Sequence, residues 1–254
     1  MPTLRRYVFQ RLQHVATQFG VDMVQSTQME RLPQARYLRR LFTEFGVTGV
    51  IDVGANEGQY HDFIRREVGF SGPMVSIEPI PALAAAMRAR SHSDPAWRVE
   101  EMAMGAAAGT LSFNVTAGSQ FSSFLAPIAS TEEMFFGQNV VAEAIPVTVE
   151  RLSTVIAKHD ALLGPRVYLK LDTQGFDLEA LKGLDASTGR VVALQSETSV
   201  RPIYDDMPSY VDSIAFIQSM GYTLSQIFPN NEGHFPLLIE FDCHFVRLSA
   251  ASKG

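Results

Sequence analysis

A glycine turn follows the apolar run that begins at Val50, in the sequence VIDVGANEG. Gly54 and Gly58 accommodate positive φ angles and let a ligand approach the backbone closely. The free N–H groups at the start of a following helix can hold an anionic group. Glu78 ends a second apolar run, 24 positions after Gly54, close to the spacing at which a βαβ unit places the acid that binds ribose hydroxyls. The pattern predicts a nucleotide site.

The spacing of the two glycines indicates which kind of nucleotide is expected. A dinucleotide site uses Gly-x-Gly-x-x-Gly, so that the backbone can contact a pyrophosphate. Here three residues separate Gly54 from Gly58, so a diphosphate ligand is not favoured. For this motif taken alone, an ordinary strand, turn and helix without a ligand is the alternative.

Two further carboxylates follow apolar runs in the second half of the chain, Asp172 after VYLKL and Glu197 after VVALQS. In open α/β sheets ligands bind outside the carboxyl ends of the strands, so Asp52, Glu78, Asp172 and Glu197 are expected at one crevice. Asp172 and Glu197 are candidates for a general base and an acceptor-orienting group. Alternatively they bind Mg²⁺, which prefers oxygen ligands, although no third ligand is evident beyond nearby Gln174. A loop-ordering role for Asp172 is the other interpretation.

Loops supply further candidates for the acceptor side. His234 lies in the polar stretch NNEGHF and would serve as a base near neutral pH, unless it is an ordinary surface histidine. Residues 116–144 have weak periodicity, and a segment of that length is typical of a lid or binding loop. Its phenylalanines either line an acceptor pocket or pack the loop. They are Phe121, Phe124, Phe135 and Phe136.

The first motif resembles that of class I S-adenosylmethionine-dependent methyltransferases, in which a strand ends in Asp-x-Gly-x-x-x-Gly, as at Asp52 to Gly58. More narrowly, the chain resembles the FkbM family, which has Asp-Val-Gly-Ala-Asn-x-Gly and a later Glu-Pro, here Glu78-Pro79. The family's second pattern is also present. It is matched by Lys170, Asp172, Gly175 and Leu181-Lys182-Gly183, with Asp177 where the pattern has Glu.

The resemblance implies residues for binding S-adenosylmethionine. Glu101 and Met102 occupy the position of a family segment that lies near the adenine ring. Glu101 stands where the family usually has an amide side chain, so a residue at a solvent-facing strand end is an equally good interpretation of Glu101. The implied cofactor-binding residues are Asp52, Gly54, Ala55, Asn56, Gly58, Gln59, Tyr60, Glu78, Pro79, Glu101, Met102 and Asp172.

The resemblance also implies an activity, the transfer of a methyl group to a hydroxyl of a saccharide or secondary metabolite. Transfer would proceed by in-line displacement, with Asp172, Glu197 or His234 assisting, or with Mg²⁺ held by Asp172 and Glu197. Two alternatives remain open. One is a methyltransferase acting on a carboxylate, amine or protein, and the other is a non-catalytic protein that retains the cofactor pocket.

The elements that must position these residues alternate as in α/β folds. Strands are predicted at 50–53, 74–78, 96–103, 167–172 and 190–197, with helices at 58–68, 81–90 and 207–220. A final strand pair is expected over 222–228 and 237–248. Together with the resemblance, these elements indicate a Rossmann-like class I methyltransferase fold, with a seven-stranded, mostly parallel sheet and an antiparallel C-terminal hairpin.

Composition is consistent with such a domain and excludes other classes. The 254 residues are 46% hydrophobic with a net charge of −6, which argues against a general nucleic-acid binder. No run of 18 apolar residues suggests a membrane span, and the first residues lack the apolar core of a secretory signal. The single cysteine, Cys243, excludes an intrachain disulfide and is typical of a cytoplasmic protein.

The N-terminal segment differs in charge from the rest. Residues 1–46 hold seven arginines and three acids, a balance of +4, which leaves −10 for the remainder. Leu4 to Phe19 has helical apolar spacing, and Pro33 begins a second predicted helix that ends at Gly46. We expect a helical cap over 1–46 and a methyltransferase domain over 47–254. The basic helix would close over a substrate, join an oligomer, touch a membrane surface or simply pack with solvated arginines.

Overall fold

The computed structural model describes residues 31–230, 234 and 236–251, and only the backbone of 186–188. The helix predicted over residues 4–19 lies outside the described residues. The strands, in chain order, are β1 (Gly49–Val53), β2 (Met74–Ile77), β3 (Trp97–Glu100), β4 (Ala103–Met104), β5 (Gly109–Thr116), β6 (Val141–Glu150), β7 (Val167–Leu171), β8 (Val191–Ser199), β9 (Thr223–Asn230) and β10 (Glu240–Val246).

Seven of these strands form the central sheet, in the order β3-β2-β1-β7-β8-β10-β9. The first five pair in parallel, whereas β10 pairs antiparallel with both β8 and β9. This is the predicted seven-stranded sheet with an antiparallel C-terminal hairpin. The chain order reverses between β1 and β7, and ligands bind at such a switch point in open α/β sheets.

The α-helices flank this sheet, and they alternate with its parallel strands. They are α1 (Leu32–Glu44), α2 (Gln59–Phe63), α3 (Pro81–Ser91), α4 (Leu152–Lys158), α5 (Asp160–Leu163), α6 (Asp177–Lys182) and α7 (Tyr210–Ser219). A π-helical turn, Ile64–Val68, continues α2. Proline opens α1 and α3, as the sequence predicts, because its fixed φ suits the first helical turn.

Helix α1 packs directly on the sheet. Its apolar stripe, which includes Leu38, Leu41 and Phe42, is buried in the same cluster as Val50 of β1 and Tyr168 of β7. At about 25 cal/mol per Å² of buried apolar surface, such a stripe contributes several kcal/mol to folding. The other face of the sheet is covered by α4, α6 and α7. The boundary between a cap and a catalytic domain at residue 46 stays a prediction.

One predicted strand differs from the structure, and one observed strand was not predicted. The third strand divides into β3 and β4 at Glu101-Met102, and β4 joins β5 and β6 in a second, three-stranded sheet. Strand β6 was not predicted. Its outer half, from Val141 to Ala144, is exposed on both faces, so the alternation that identifies a half-buried strand is missing there.

Candidate active site

A cleft of about 980 Å³ opens at the carboxyl ends of the parallel strands. Residues that follow β1, β2 and β7 line one part of it, and residues of β8 and β10 line the other. Its volume is at the upper end of the usual range for small-molecule sites, roughly 300–1,000 Å³. The cleft therefore has room for more than one ligand group.

The turn after β1 requires glycine at its first position. Gly54 has a φ of +73°, and a Cβ at this residue would lie 1.9 Å from the carbonyl oxygen of Asp172. The backbones that follow β1 and β7 therefore approach each other closely only because position 54 has no side chain. Gly58 also has positive φ, but it faces Met87, Arg90 and Trp97 beneath the loop and does not line the cleft.

Glu78 is held in place by the two loops around it. One carboxylate oxygen accepts the N–H of Asn56 at 2.8 Å, and the other accepts the N–H of Ile80 at 2.9 Å. Burial raises the pKa of Glu78 to about 7, although these two N–H groups oppose the shift. Ser119 donates to the Asn56 side chain at 2.8 Å and so joins a further loop to this arrangement. We call the wall formed by Gly54, Ala55, Asn56, Glu78 and Pro79 the glycine side.

Asp52 was predicted to contact the cofactor, but it does not line the cleft. Its side chain is fully buried, 3.0 Å from the ammonium of Lys170. Lys170 also lies 3.3 Å from Asp172 and donates to the carbonyl of Gly54 at 3.3 Å. Burial alone would lower the pKa of Lys170, but the carboxylates of Asp172 and Asp52 outweigh it and raise that pKa. The motif's first acid thus positions a lysine beneath the glycine loop.

Polar side chains cross the sheet in register beneath the cleft. Ser76, Asp52, Lys170, Gln195 and His244 are successive cross-strand partners on β2, β1, β7, β8 and β10. Because side chains on a strand alternate between faces, residues two positions away lie on the same face; toward the cleft these are two positions later on β7 and β8 but two positions earlier on antiparallel β10. In the second half of the chain this places Asp172, Glu197 and Asp242 above that row.

These three carboxylates are joined by amide side chains. Gln174 donates from its amide nitrogen to Asp172 at 3.0 Å and to Glu197 at 2.8 Å. Asn230 in turn donates to Glu197 at 3.2 Å and to Asp242 at 3.0 Å. The Tyr204 hydroxyl donates to the amide oxygen of Gln174 at 2.9 Å, which fixes the orientation of that amide.

Gln34, near the start of α1, extends the chain of amides by donating to Asp242 at 3.0 Å. We call Asp172, Glu197 and Asp242, with the amides of Gln34, Gln174 and Asn230 that join them, the acid floor. Burial raises the pKa of Glu197 well above its usual range, and the carboxylates of Glu240, Asp172, Asp242 and Asp177 add to the shift. Burial and the charge of Asp172 raise the pKa of Asp242 to about 6, against the effect of its amide partners.

The acid floor does not fit the predicted Mg²⁺ site. The amide nitrogen of Gln174 lies between Asp172 and Glu197 and donates to both, so the side chain that was considered as a third ligand directs hydrogens at this position. Within residues 31–230, 234 and 236–251, no three His, Cys, Asp or Glu side chains are arranged to hold a metal ion. We therefore derive no step through a metal.

His244 joins the floor to the core of the sheet. One ring nitrogen lies 3.2 Å from the amide nitrogen of Gln34, and the other lies 3.0 Å from the hydroxyl of Tyr168. An amide nitrogen only donates, so the first ring nitrogen accepts and the second carries the proton. Burial lowers the pKa of His244 to about 3, which keeps the ring neutral. His244 is thus a buried structural residue of the last strand.

Gln195 is the last residue in this series of hydrogen bonds, after His244 and Tyr168. Its amide oxygen accepts from Tyr168 at 3.3 Å and from Tyr60 at 3.1 Å. The residue is 3% exposed and lines the cleft. Among the described residues its amide nitrogen has no hydrogen-bond partner, so it is left as a free donor at the cleft.

Several predicted residues lie away from the cleft lining. Glu101 is exposed and accepts from Arg88 at 2.8 Å, because the break between β3 and β4 directs Met102, not Glu101, into the cleft. His234 packs edge-on against Phe135, with 5.5 Å between ring centroids, and is not brought together with the carboxylates. Phe135 is buried, and Phe136 is 91% exposed. Of the four predicted aromatic residues, only Phe121 and Phe124 line the cleft.

The remaining predicted residues do line the cleft. They are Gly54, Ala55, Asn56, Gln59, Tyr60, Glu78, Pro79, Met102, Asp172 and Glu197. Sequence reasoning did not assign roles to Lys170, Gln34, Gln195, Asn230 and Asp242. The available signal was the spacing of two between Lys170 and Asp172, Gln195 and Glu197, and Asp242 and His244, which places each pair on one face of its strand.

Two solved structures that are similar to this chain are both below 20% identical to it. An FkbM methyltransferase from Methylobacillus flagellatus KT is 16% identical, with a TM-score of 0.48; the match covers 78% of this chain and 43% of that one. The present chain thus spans less than half the length of that relative. A SAM-dependent methyltransferase from Aquifex aeolicus is 14% identical over 87% of this chain and 93% of its own, with a TM-score of 0.42. No curated protein matches at a significant level.

A family model provides the stronger comparison. The model described as the methyltransferase FkbM domain matches residues 52–224, about two thirds of the chain. The matched range begins at the acid of the glycine motif and extends into β9, so it includes Glu78, Asp172 and Glu197. The chain therefore belongs to the FkbM family of methyltransferases.

Proposed function

We propose that this protein is an S-adenosylmethionine-dependent O-methyltransferase that acts on a hydroxyl of a saccharide or secondary metabolite. The observation that carries the proposal is the juxtaposition, in one cleft, of the glycine side and the acid floor. The family supports methyl transfer. The choice of a hydroxyl rests on the hydrogen-bond-accepting chemistry of the floor.

The glycine side suits the adenosyl part of the donor. The position that a Cβ would occupy at Gly54 is filled by the backbone of Asp172, so the backbone that follows β1 lies directly against the backbone that follows β7. Glu78 is buried, and its backbone partners hold the carboxylate in one orientation. Its oxygens would accept the ribose hydroxyls through their remaining lone pairs, while Ile80 and Met102 provide apolar surface for the base.

The acid floor suits the second half of the reaction. The sulfonium of bound S-adenosylmethionine supplies an activated methyl group and departs as a neutral thioether. Asp172 and Glu197 would orient the acceptor hydroxyl for in-line attack. As the new C–O bond forms and the C–S bond breaks, one of these carboxylates would accept the hydroxyl proton. The amide of Gln174 keeps the two carboxylates aligned while this proton moves.

The cofactor assignment is tested by calorimetric titration with S-adenosylhomocysteine. Saturable one-to-one binding is expected for the wild type. Glu78→Ala should weaken this binding by about 1–3 kcal/mol, because hydrogen bonds to a charged group are lost. Glu101→Ala is the matched control, because this carboxylate is exposed and bound to Arg88; its affinity should not change. Equal affinities for wild type and Glu78→Ala would contradict the assignment.

The activity is tested with a labelled methyl donor and a panel of hydroxyl, carboxylate and amine acceptors. Formation of methyl ethers would support the proposal. Methyl esters or N-methylated products would instead identify one of the alternative acceptor classes. A protein that binds S-adenosylhomocysteine but methylates no member of the panel would support the non-catalytic alternative.

Two further parts of the proposal concern the chain's surroundings. We propose a cytoplasmic location for the enzyme, because its methyl donor is made there. None of the helices between residues 31 and 251 that the structure describes is long and apolar enough to cross a bilayer. Membrane-surface contact or oligomer formation through the basic N-terminal segment stays a prediction, which flotation with acidic vesicles and sedimentation would test.

A further inference from the structure

Asn56 in the glycine loop is held by a hydroxyl from outside the glycine motif. Its φ of +48° lies in the left-handed region, which costs a residue other than glycine some backbone strain. Its backbone N–H donates to Glu78 at 2.8 Å, so the conformation of the loop at Asn56 decides whether that carboxylate keeps its donor. The side-chain oxygen of Asn56 accepts from the hydroxyl of Ser119 at 2.8 Å, although Ser119 lies 63 residues later in the chain.

The segment that carries Ser119 is itself anchored. Ser119 begins a short 3-10 turn that ends at Phe121, in the loop after β5, and both residues line the cleft. The hydroxyl of buried Tyr204 lies 2.8 Å from the carbonyl oxygen of Phe121. Two residues further on, the hydroxyl of buried Ser123 donates to the backbone carbonyl of Gln174 at 2.7 Å. Ser119 therefore reaches the glycine loop from a fixed position.

Glu78 depends on its backbone donors because its surroundings oppose its charge. Burial raises the pKa of Glu78 to about 7, although the N–H groups of Ile80 and Asn56 oppose the shift. Of the charged groups that face this carboxylate, Asp52 adds to the shift and Lys170 opposes it. A weaker bond from Asn56 would leave Glu78 protonated to higher pH. Since an ionised carboxylate accepts hydrogen bonds more strongly than a neutral one, the position of the Asn56 N–H bears on ribose binding.

We propose that Ser119 is a positioning residue for the cofactor site, which holds the Asn56 N–H on Glu78 and so keeps that carboxylate oriented to accept the ribose hydroxyls. Ser119 acts through the side chain of Asn56 and makes no contact with the ribose. The glycine side is then completed by the loop after β5, which lies outside the motif that predicts the site. This proposal rests on the proposed function, since it names a further residue for binding of the same methyl donor.

The test is calorimetric titration of the full chain with S-adenosylhomocysteine at several values between about pH 6 and pH 9. At about pH 7, the dissociation constant of Ser119→Ala should be about fivefold above that of wild type. This ratio should fall below about twofold near pH 9, where Glu78 is ionised in both proteins. A residue that only packs the loop would give the same ratio at every pH. Titration of the ligand's own amino group cancels in the ratio.

Two further variants assign the effect to the hydroxyl of Ser119. Ser119→Thr keeps a hydroxyl at this position and should bind S-adenosylhomocysteine within about twofold of wild type. Ser112→Ala is the matched control, since Ser112 is an exposed serine on β5 and does not line the cleft. Its affinity should equal that of wild type over the whole pH range.

Different results would overturn the two proposals separately. Wild-type affinity of Ser119→Ala near pH 7, or a ratio that stays constant across the pH range, would overturn the positioning role of Ser119. Equal losses in Ser119→Ala and Ser119→Thr would do the same, because the hydroxyl would then not be the group that matters. Failure of S-adenosylhomocysteine to bind the wild type would overturn the proposed function, and this inference with it.

Discussion

The two sides of the cleft are built by different means. The glycine side uses backbone groups and one carboxylate that lie within 27 residues of each other, from Gly54 to Ile80. The acid floor uses side chains that are far apart in sequence: Gln34 and Asp242 are separated by 208 residues. One side is a local motif, and the other exists only when β7, β8, β10 and α1 are assembled.

This difference has consequences for how each side tolerates change. Backbone geometry at the glycine side leaves no room for adjustment, because a positive φ and a close approach coincide at Gly54. On the floor, each amide nitrogen lies within hydrogen-bond distance of two partners, and a lost side chain leaves partners that water can reach from the cleft. We therefore expect substitutions at Gly54 to be all-or-none and those on the floor to be graded.

The largest effect is expected for Gly54→Ala. The added Cβ would collide with the carbonyl oxygen of Asp172, so β1 and β7 would have to separate; we expect a loss of about 4 kcal/mol or more in unfolding free energy and no binding of S-adenosylhomocysteine. Gly69→Ala is a matched control with a similar φ of +79° but no atom within 4 Å of the added Cβ. It should cost only about 1–2 kcal/mol, by urea denaturation. Similar losses in both variants would show that φ alone, and not the close approach, matters.

The second effect concerns the buried lysine that connects the two sides. Lys170→Met should lower the unfolding free energy by about 3–5 kcal/mol, because Asp52 is left charged and fully buried. The double variant Asp52→Asn, Lys170→Met removes that charge and should recover part of the loss. Urea denaturation of the single and double variants measures both quantities. A single variant within about 1 kcal/mol of wild type would indicate that the ion pair does not hold the loop.

The third effect is a pH dependence specific to the glycine side. Burial raises the pKa of Glu78 from its ordinary 4.5 to about 7, so the folded protein binds this proton more tightly than the unfolded chain does. Its contribution to stability is therefore present below pH 4.5 and is lost as the pH rises to about 7. Glu78→Gln should gain stability relative to wild type by roughly 2–3 kcal/mol between about pH 5 and pH 8.

Urea denaturation of wild type and variant at those two pH values measures this difference. The unfolding free energies of wild type and variant are subtracted because buried His244 also makes stability depend on pH. Its pKa is lowered, so its contribution to the unfolding free energy changes with pH in the opposite direction below pH 6.5. Glu101→Gln, at an exposed site, should show no such change. Parallel pH profiles for wild type and Glu78→Gln would contradict the assigned shift.

The smallest effect is expected on the acid floor. Gln34→Ala removes the donor shared by Asp242 and His244 and should cost about 1 kcal/mol in unfolding free energy. Affinity for S-adenosylhomocysteine should stay unchanged, because Gln34 bonds neither to the glycine loop nor to Glu78. Gln218→Ala, on the exposed face of α7, is the control and should remain within about 0.5 kcal/mol of wild type. Loss of cofactor affinity in Gln34→Ala would show that the two sides are coupled.

Much of the fold could be predicted because its signals are local. The apolar runs of β1 and β7 are buried at every position, and prolines mark the starts of α1 and α3. The glycine spacing and Glu78 likewise lie in one βαβ unit. Strand β6 was not predicted because both faces of its outer half are exposed, so buried apolar and exposed polar residues do not alternate there.

The sequence by itself indicated the family, the carboxylates at the strand ends and the glycine turn, since each signal is a short motif of residues close together in the chain. Only the tertiary structure decided that Asp52 holds Lys170, that Glu101 faces solvent and that His234 packs against Phe135. It also decided that Gln34, Gln174 and Asn230 join three carboxylates into one floor. Such contacts depend on which strands become neighbours and on how α1 docks, and the spacing of residues along a chain does not specify distances between elements that meet only after folding.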